Sequence, residues 1–170
     1  MNQKNIKPFF IKNLINKNIF DWKDFEYLLK NHPKDKIEMI DKNGFIIKGI
    51  SNDETFIEKN IIFTDTWNYK KEFSTLKNFF MLKIPELNNF LKWDVHIYTG
   101  HENNCRSFGP HFDEAHNFIL QTEGNSRWIV AHEFDIILNP GDVIFIPKHW
   151  VHECKPLTKR ISLSFPFWYE

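Results

Sequence analysis

From Trp93 onward the chain is a succession of short apolar stretches broken by turn residues, and this density of strands constrains the fold more than any other feature. Alternation and turn residues place strands at 94–99, 117–121, 127–132, 135–138, 142–146, 149–154 and 160–167. The turns fall at Glu123-Gly124-Asn125 and Asn139-Pro140-Gly141. Strands spaced this closely favour an all-β barrel or sandwich over α/β alternation.

The residues before Trp93 have a different character. Asp21 is placed to cap a helix that carries Trp22, Phe25, Leu28 and Leu29 on one face and stops at Pro33. A second helical pattern runs through Phe73, Leu76 and Phe80, and Pro85 suits the first turn of a short helix with Leu87, Phe90 and Leu91. Between them Gly44–Lys48, Thr55–Ile57 and Asn60–Phe63 read as short strands that could extend a sheet. No repeat, low-complexity tract or linker marks a boundary, so 170 residues are read as one domain, with 1–92 as N-terminal helices and flanking strands and 93–168 as the core.

Composition narrows the class further. Aromatic residues make up 16% of the chain, with 18 Phe, which suits a large β core with bulky fillers. Lys plus Arg and Asp plus Glu both total 22, so no broad field favours nucleic acid. Lys4, Lys7, Lys12 and Lys17 open the chain without an acid among them, and the plain reading is a solvated edge. No apolar run is long enough for a spanning helix, the start lacks a signal-peptide pattern, and two cysteines make no disulfide framework; the expectation is a cytoplasmic protein without a membrane partner.

Chemistry concentrates in the strand-rich part. His111-Phe112-Asp113, with His152 later in the stretch that starts at Pro140-Gly141-Asp142, supplies two imidazoles and one carboxylate. That is the ligand set of a mononuclear non-haem Fe(II) centre with open coordination positions. Residues two apart share a face of an extended strand, so His111 and Asp113 point together and His152 must come from another strand. The same parity turns His116 away from His111 and Asp113, and His149 away from His152. His96, His101 and His132 have no close partner at ligand spacing, and His32 beside Pro33 reads as a helix-end residue. A closed zinc site of Cys105, Cys154, His111 and His152 competes, but it leaves Asp113 unused and lacks Cys-x-x-Cys spacing; Cys154 reads rather as a small packing residue near the metal.

The stretches from His111 to Trp128, from Pro140 to His152 and from Arg160 to Phe165 together resemble the JmjC-like and cupin-like family of Fe(II)/2-oxoglutarate oxygenases. The resemblance covers about positions 93 to 168. It implies a mainly β fold, a double-stranded β-helix (jelly-roll, cupin-like) barrel with an N-terminal helical, α+β elaboration, and iron held by His111, Asp113 and His152. It also implies 2-oxoglutarate as cosubstrate and hydroxylation of an amino-acid, peptide or small-metabolite C–H bond, with release of succinate and CO2. Retention of Asp113 points to an oxygen-derived oxidation, since related halogenases lack that carboxylate.

Arg160 is the best candidate to meet the cosubstrate's distal carboxylate, because guanidinium pairs bidentately with carboxylate, and Ser162, on the same face, can add a hydroxyl. Asn117 and Tyr98 are further candidates around the cosubstrate, and Trp128 reads as core or pocket wall. The sequence departs from its relatives at Ser126, where JmjC-type hydroxylases carry Lys or Arg; Arg127 is adjacent but of the wrong parity. This keeps open a non-catalytic metal-binding cupin, acting as a sensor or partner module, and a metal-free cupin isomerase or epimerase. The aromatic tail from Phe165 to Tyr169 is expected to pack on its own sheet, the other use being a homodimer contact.

Overall fold

The computed structural model describes residues 6–16, 18–40, 45–49, 60–85, 89–100, 107–131 and 133–169. Along the chain these form β1 (Phe9–Ile11), α1 (Trp22–Asn31), β2 (Ile37–Ile40), β3 (Ile46–Lys48), β4 (Asn60–Phe63) and α2 (Lys71–Lys83). Then follow β5 (Lys92–Trp93), β6 (His96–Gly100), β7 (His116–Glu123), β8 (Ser126–Val130), β9 (Phe134–Leu138), β10 (Val143–Ile146), β11 (His152–Pro156) and β12 (Arg160–Trp168). The readings at Lys4, Lys17, Gly44, Thr55–Ile57, Leu87, His101, Cys105 and His132 lie outside the described residues.

The strands form two antiparallel sheets. The larger runs β1-β10-β7-β12-β6-β4-β2-β3, with β5 also on β12, and the smaller runs β11-β8-β9. The inward faces meet through Ile119, Ile144 and Ile146 of the large sheet and Trp128, Val130, Leu138 and Cys154 of the small one. Both helices lie on the outer face of the large sheet, so strands β7, β10 and β12 are buried on both sides.

This arrangement corrects one expectation about the aromatic residues. The Phe-rich core lies between the large sheet and the helices, where Phe25, Phe73 and Phe80 meet Phe63, Phe118, Phe145, Phe165 and Phe167. Phe80 and Phe118 stack with ring centroids 4.3 Å apart. The space between the sheets holds aliphatic and polar side chains, with Tyr98 and Trp128 among them. The reason is alternation along β12: Ile161, Leu163, Phe165 and Phe167 face the helices, while Arg160, Ser162 and Ser164 face the interior.

Local chemistry explains the helix ends. The Asp21 carboxylate accepts from the Lys23 and Asp24 amides at 2.9 and 3.0 Å, and the Asp24 side chain accepts from the Asp21 amide at 3.0 Å, a reciprocal cap. Helix α1 then stops at Asn31, before His32 and Pro33, as the sequence indicates. Among the described residues no helix is long and apolar enough to cross a membrane.

The tail packs on its own sheet. β12 pairs with β6 on one side and β7 on the other. Pro166 sits in this central strand because its missing N–H faces the interval between β5 and β6, where its carbonyl accepts from the Asp94 amide at 3.3 Å. Strands β1 and β2 go beyond the sequence reading, and β11 starts at His152 rather than at 149. The cause of the late start is a turn in which His149 adopts φ +66°, outside the strand region.

Candidate metal centre

The site is assembled by two segments that hydrogen-bond to each other. The His111 amide donates to the His152 carbonyl at 3.0 Å, and the His152 amide donates to the His111 carbonyl at 2.8 Å, so the two histidines form an antiparallel bridge at the end of the small sheet. Their rings lie side by side with centroids 4.4 Å apart. From His111 to Asp113 the chain has no strand partner beyond that bridge, it bends at Glu114, and exposure alternates, with Phe112 and Glu114 exposed. The parity argument therefore holds here although Asp113 lies in a loop and not in a strand.

The donor atoms converge. His111 Nε2 lies 3.9 Å from Asp113 Oδ1, and His152 Nε2 lies 3.5 Å from Asp113 Oδ2. One ligand atom from each of the three residues falls within 4.8 Å of the others, a spacing that a cation with bonds of about 2 Å can draw together. Each imidazole is oriented from behind: His111 Nδ1 donates to the Gly109 carbonyl and His152 Nδ1 to the Trp150 carbonyl, both at 2.8 Å. A proton on Nδ1 leaves the Nε2 lone pair free toward the shared point. Burial pushes the His152 pKa down, against the opposing pull of the Trp150 carbonyl and the Asp113 carboxylate, which favours the neutral ring a metal requires.

Asp113 is held as well. Asn117 Nδ2 donates to its Oδ2 at 2.6 Å, and Asn117 Oδ1 accepts from the Ser164 hydroxyl at 3.3 Å. Asn117 thus acts on the carboxylate. The donor set of two neutral imidazoles and one carboxylate, each oriented by a second group, fits a ferrous ion.

Beside these three residues a cavity opens between the sheets, lined by Tyr98, Phe108, Ile119, Trp128, Cys154, Arg160, Ser162 and Ser164. Arg160 is 2% exposed and donates from Nη1 to Ser162 Oγ at 2.9 Å, while its Nε has no partner. Among the described residues no carboxylate pairs with this buried guanidinium, a costly arrangement that makes the cavity a place for an anion. The Ser162 hydroxyl proton goes to Gln121 Oε1 at 2.9 Å, so this serine does not offer the cavity the donor that its position suggests. Burial and the Asp113 carboxylate push the Tyr98 pKa up and keep the phenol protonated. Arg127 faces solvent in a two-bond pair with Asp135, at 2.7 and 2.6 Å.

The other histidines lie elsewhere. His116 is buried on the helix-facing side of β7, stacked on Phe145 and edge-on to Tyr169. His149 pairs with Glu114 at 2.7 Å, His96 with Asp94 at 3.1 Å, and His32 with the Thr64 carbonyl at 2.7 Å. Cys154 lines the cavity, but among the described residues it does not join the metal-ligand group, and burial pushes its thiol pKa up. Two residues escaped sequence reading: Ser164, which shares the parity of Arg160 and Ser162, and Gln121, which shares that of Asn117 and Ile119. Those alternations were the signals that could have found them.

The sequence profile of the JmjC domain family matches residues 85–134 and 130–170. The chain is 33% identical to the bifunctional lysine-specific demethylase and histidyl-hydroxylase NO66 of Drosophila willistoni, an alignment that takes in 35% of this chain and 11% of that one. It is 35% identical to NO66 of Branchiostoma floridae over 34% of this chain and 10% of that one. Its structure resembles the Escherichia coli ribosomal oxygenase YcfD with a TM-score of 0.76 at 19% identity, covering 96% of this chain and 48% of YcfD. YcfD has been solved with cobalt and 2-oxoglutarate, and that structure matches with a TM-score of 0.73 at 20% identity over the same shares of the two chains. The chain thus spans about a tenth of the NO66 relatives and about half of YcfD.

Proposed function

Because this chain belongs to the JmjC domain family, we propose that it is an Fe(II)- and 2-oxoglutarate-dependent oxygenase that hydroxylates a side chain of a protein or peptide. The observation that carries the reading is the convergence of His111, Asp113 and His152 beside a buried arginine that has no carboxylate partner among the described residues. Either feature alone is common; a metal-ligand triad opening onto an unneutralised guanidinium is what a chelating dicarboxylate needs.

His111, Asp113 and His152 would hold the iron, which, with 2-oxoglutarate and dioxygen, supplies C–H hydroxylation coupled to release of succinate and CO2. Asn117 keeps the Asp113 carboxylate turned toward the two imidazoles. Arg160 receives the distal carboxylate of the cosubstrate. Phe108, Ile119 and Trp128 wall the cavity and limit access of water.

A groove lined by His96, Glu114, Asn117, Pro166 and Trp168 leads to Asp113 from the solvent side, and it shares Tyr98 and Ser164 with the cavity. This groove supports entry of a substrate side chain opposite the cosubstrate. The names of the relatives, a histidyl-hydroxylase and a ribosomal oxygenase, support a protein substrate over a free metabolite.

Ser126 favours a second reading, a metal-binding module without turnover, since it stands where relatives carry a cation. One experiment separates the two. Anaerobic Fe(II) protein titrated with 2-oxoglutarate should develop a visible charge-transfer band, and aerobic reaction should release succinate, with both lost in His111→Ala. A protein that binds Fe(II) but shows neither band nor succinate would be the non-catalytic module.

A further inference from the structure

The cavity wall behind Arg160 contains a chain of hydrogen bonds whose direction is fixed at every step. Gln121 is fully buried. Its amide nitrogen donates to the carbonyls of Glu123 and Ile161, at 2.7 and 3.2 Å, which uses both protons and fixes Oε1 as an acceptor. Onto Oε1 fall the hydroxyls of Ser126 at 2.7 Å and Ser162 at 2.9 Å. Each serine oxygen then accepts from a group that can only donate: Trp128 Nε1 at 3.0 Å for Ser126, and Arg160 Nη1 at 2.9 Å for Ser162.

The consequence is an accounting result. Both serine protons are consumed by Gln121, so the serines turn only lone pairs toward any other neighbour. A carboxylate has no proton to give them. Arg160 holds Ser162 with one Nη1 proton and its Nε has no partner among the described residues, so the Nε/Nη2 edge is a free fork of the kind that pairs bidentately with a carboxylate. The β7–β12 register sets the arrangement: Ser162 faces Gln121 in line with Leu163 facing Leu120, and a bulge at Thr122 then breaks the pairing, so that Ile161 faces Glu123.

We infer that Gln121 is a positioning residue: by taking both serine protons it turns the Nε/Nη2 edge of Arg160 into the donor that selects a 2-oxo acid with a distal carboxylate. This rests on the reading of the cavity as a 2-oxoglutarate site. It also explains how the site works with Ser126 in place of a cation. Ser126 and Trp128 complete the acceptor load on Gln121 from the small sheet, while the single buried charge stays on β12.

The test is the pair of anaerobic affinities of the Fe(II) protein for 2-oxoglutarate and for 2-oxopentanoate, which has a methyl group in place of the distal carboxylate. Gln121→Glu keeps the acceptor but adds a negative charge that Arg160 will pair with through Ser162. It should weaken 2-oxoglutarate by about tenfold or more while leaving 2-oxopentanoate where it was. Ser162→Ala removes the acceptor that holds Nη1 and should weaken only 2-oxoglutarate, by about fivefold; this variant decides the matter if Gln121→Glu does not fold. Equal weakening of both acids, or no change in either, would overturn the role of Gln121 while leaving the oxygenase reading intact. Wild-type protein that binds Fe(II) but neither acid would sink both.

Discussion

Replacing His116 with Phe should remove a defined part of the acid sensitivity of this fold. His116 is 3% exposed, lies parallel to Phe145 at 6.0 Å and meets Tyr169 edge-on at 5.3 Å. Its Nδ1 accepts the Lys148 amide at 3.3 Å. Burial, with smaller contributions from Lys148 and His149, depresses its pKa from 6.5 to about 4. A histidine depressed in the folded state binds fewer protons there than in the unfolded chain between those two values. Stability is therefore complete above pH 6.5, falls as pH drops through the interval, and levels off below about 4. The full shift corresponds to about 3 kcal/mol, of which about 2 kcal/mol should be lost between about pH 7.5 and pH 5. Phe keeps the ring in the aromatic stack but cannot titrate; it leaves the Lys148 amide unpaired, a penalty of about 1 kcal/mol that does not vary with pH. Urea unfolding of both proteins at several pH values measures the difference directly, because carboxylates and other histidines are common to both. Curves that stay parallel from pH 7.5 to pH 5 would refute the assignment of the buried neutral ring.

Other outcomes follow from the same geometry. Asn117→Ala releases the Asp113 carboxylate and should weaken Fe(II) or Mn(II) binding by about tenfold, read by metal titration, with little change in melting temperature. Gly124→Ala should destabilise by about 2 kcal/mol or more, since φ is +63° and the added Cβ would meet the Lys159 carbonyl oxygen; thermal unfolding checks it. Asp21→Ala removes the cap of α1 and should cost about 1 kcal/mol in denaturant unfolding, with 2-oxoglutarate affinity unchanged.

The convergence of the candidate ligands His111, Asp113 and His152 was legible because it rests largely on parity. His111 and Asp113 stay on one side of their segment, His116 turns to the other, and β11, bridged directly to His111, supplies His152. The cap of α1 and the buried faces of α1 and α2 were legible for a similar reason, since Asp21, Pro33 and the spacing of Phe73, Leu76 and Phe80 act locally. What could not be read depends on partners. Gln121 matters because the β7–β12 register sets it opposite Ser162, and no residue type in Gln121-Thr122-Glu123 announces that register or the bulge that ends it. Ser162 looked like a hydroxyl donor until the neighbour that takes its proton was known. Composition indicated an aromatic core but not the face of the sheet that carries it.

The two faces of β7 and β12 explain why these features belong together. Both faces are buried, so a slip of one residue would drive Arg160 and Ser162 into the layer of Phe73, Phe80 and Phe118, and would turn Phe165 and Phe167 into the cavity. Burying a guanidinium there without a partner costs far more than the apolar contacts could return. The reverse move would empty the layer under the helices. Each face therefore fixes the register of the other, and the N-terminal helices, remote from the metal ligands, help to set where Arg160 stands. The bulge at Thr122 is compatible with this constraint because it adds its extra residue at the end of the pairing, beyond Leu120 and Leu163. The apolar layer and the Gln121–Ser162 pair keep one register, and only Ile161 and Glu123 beyond them are shifted.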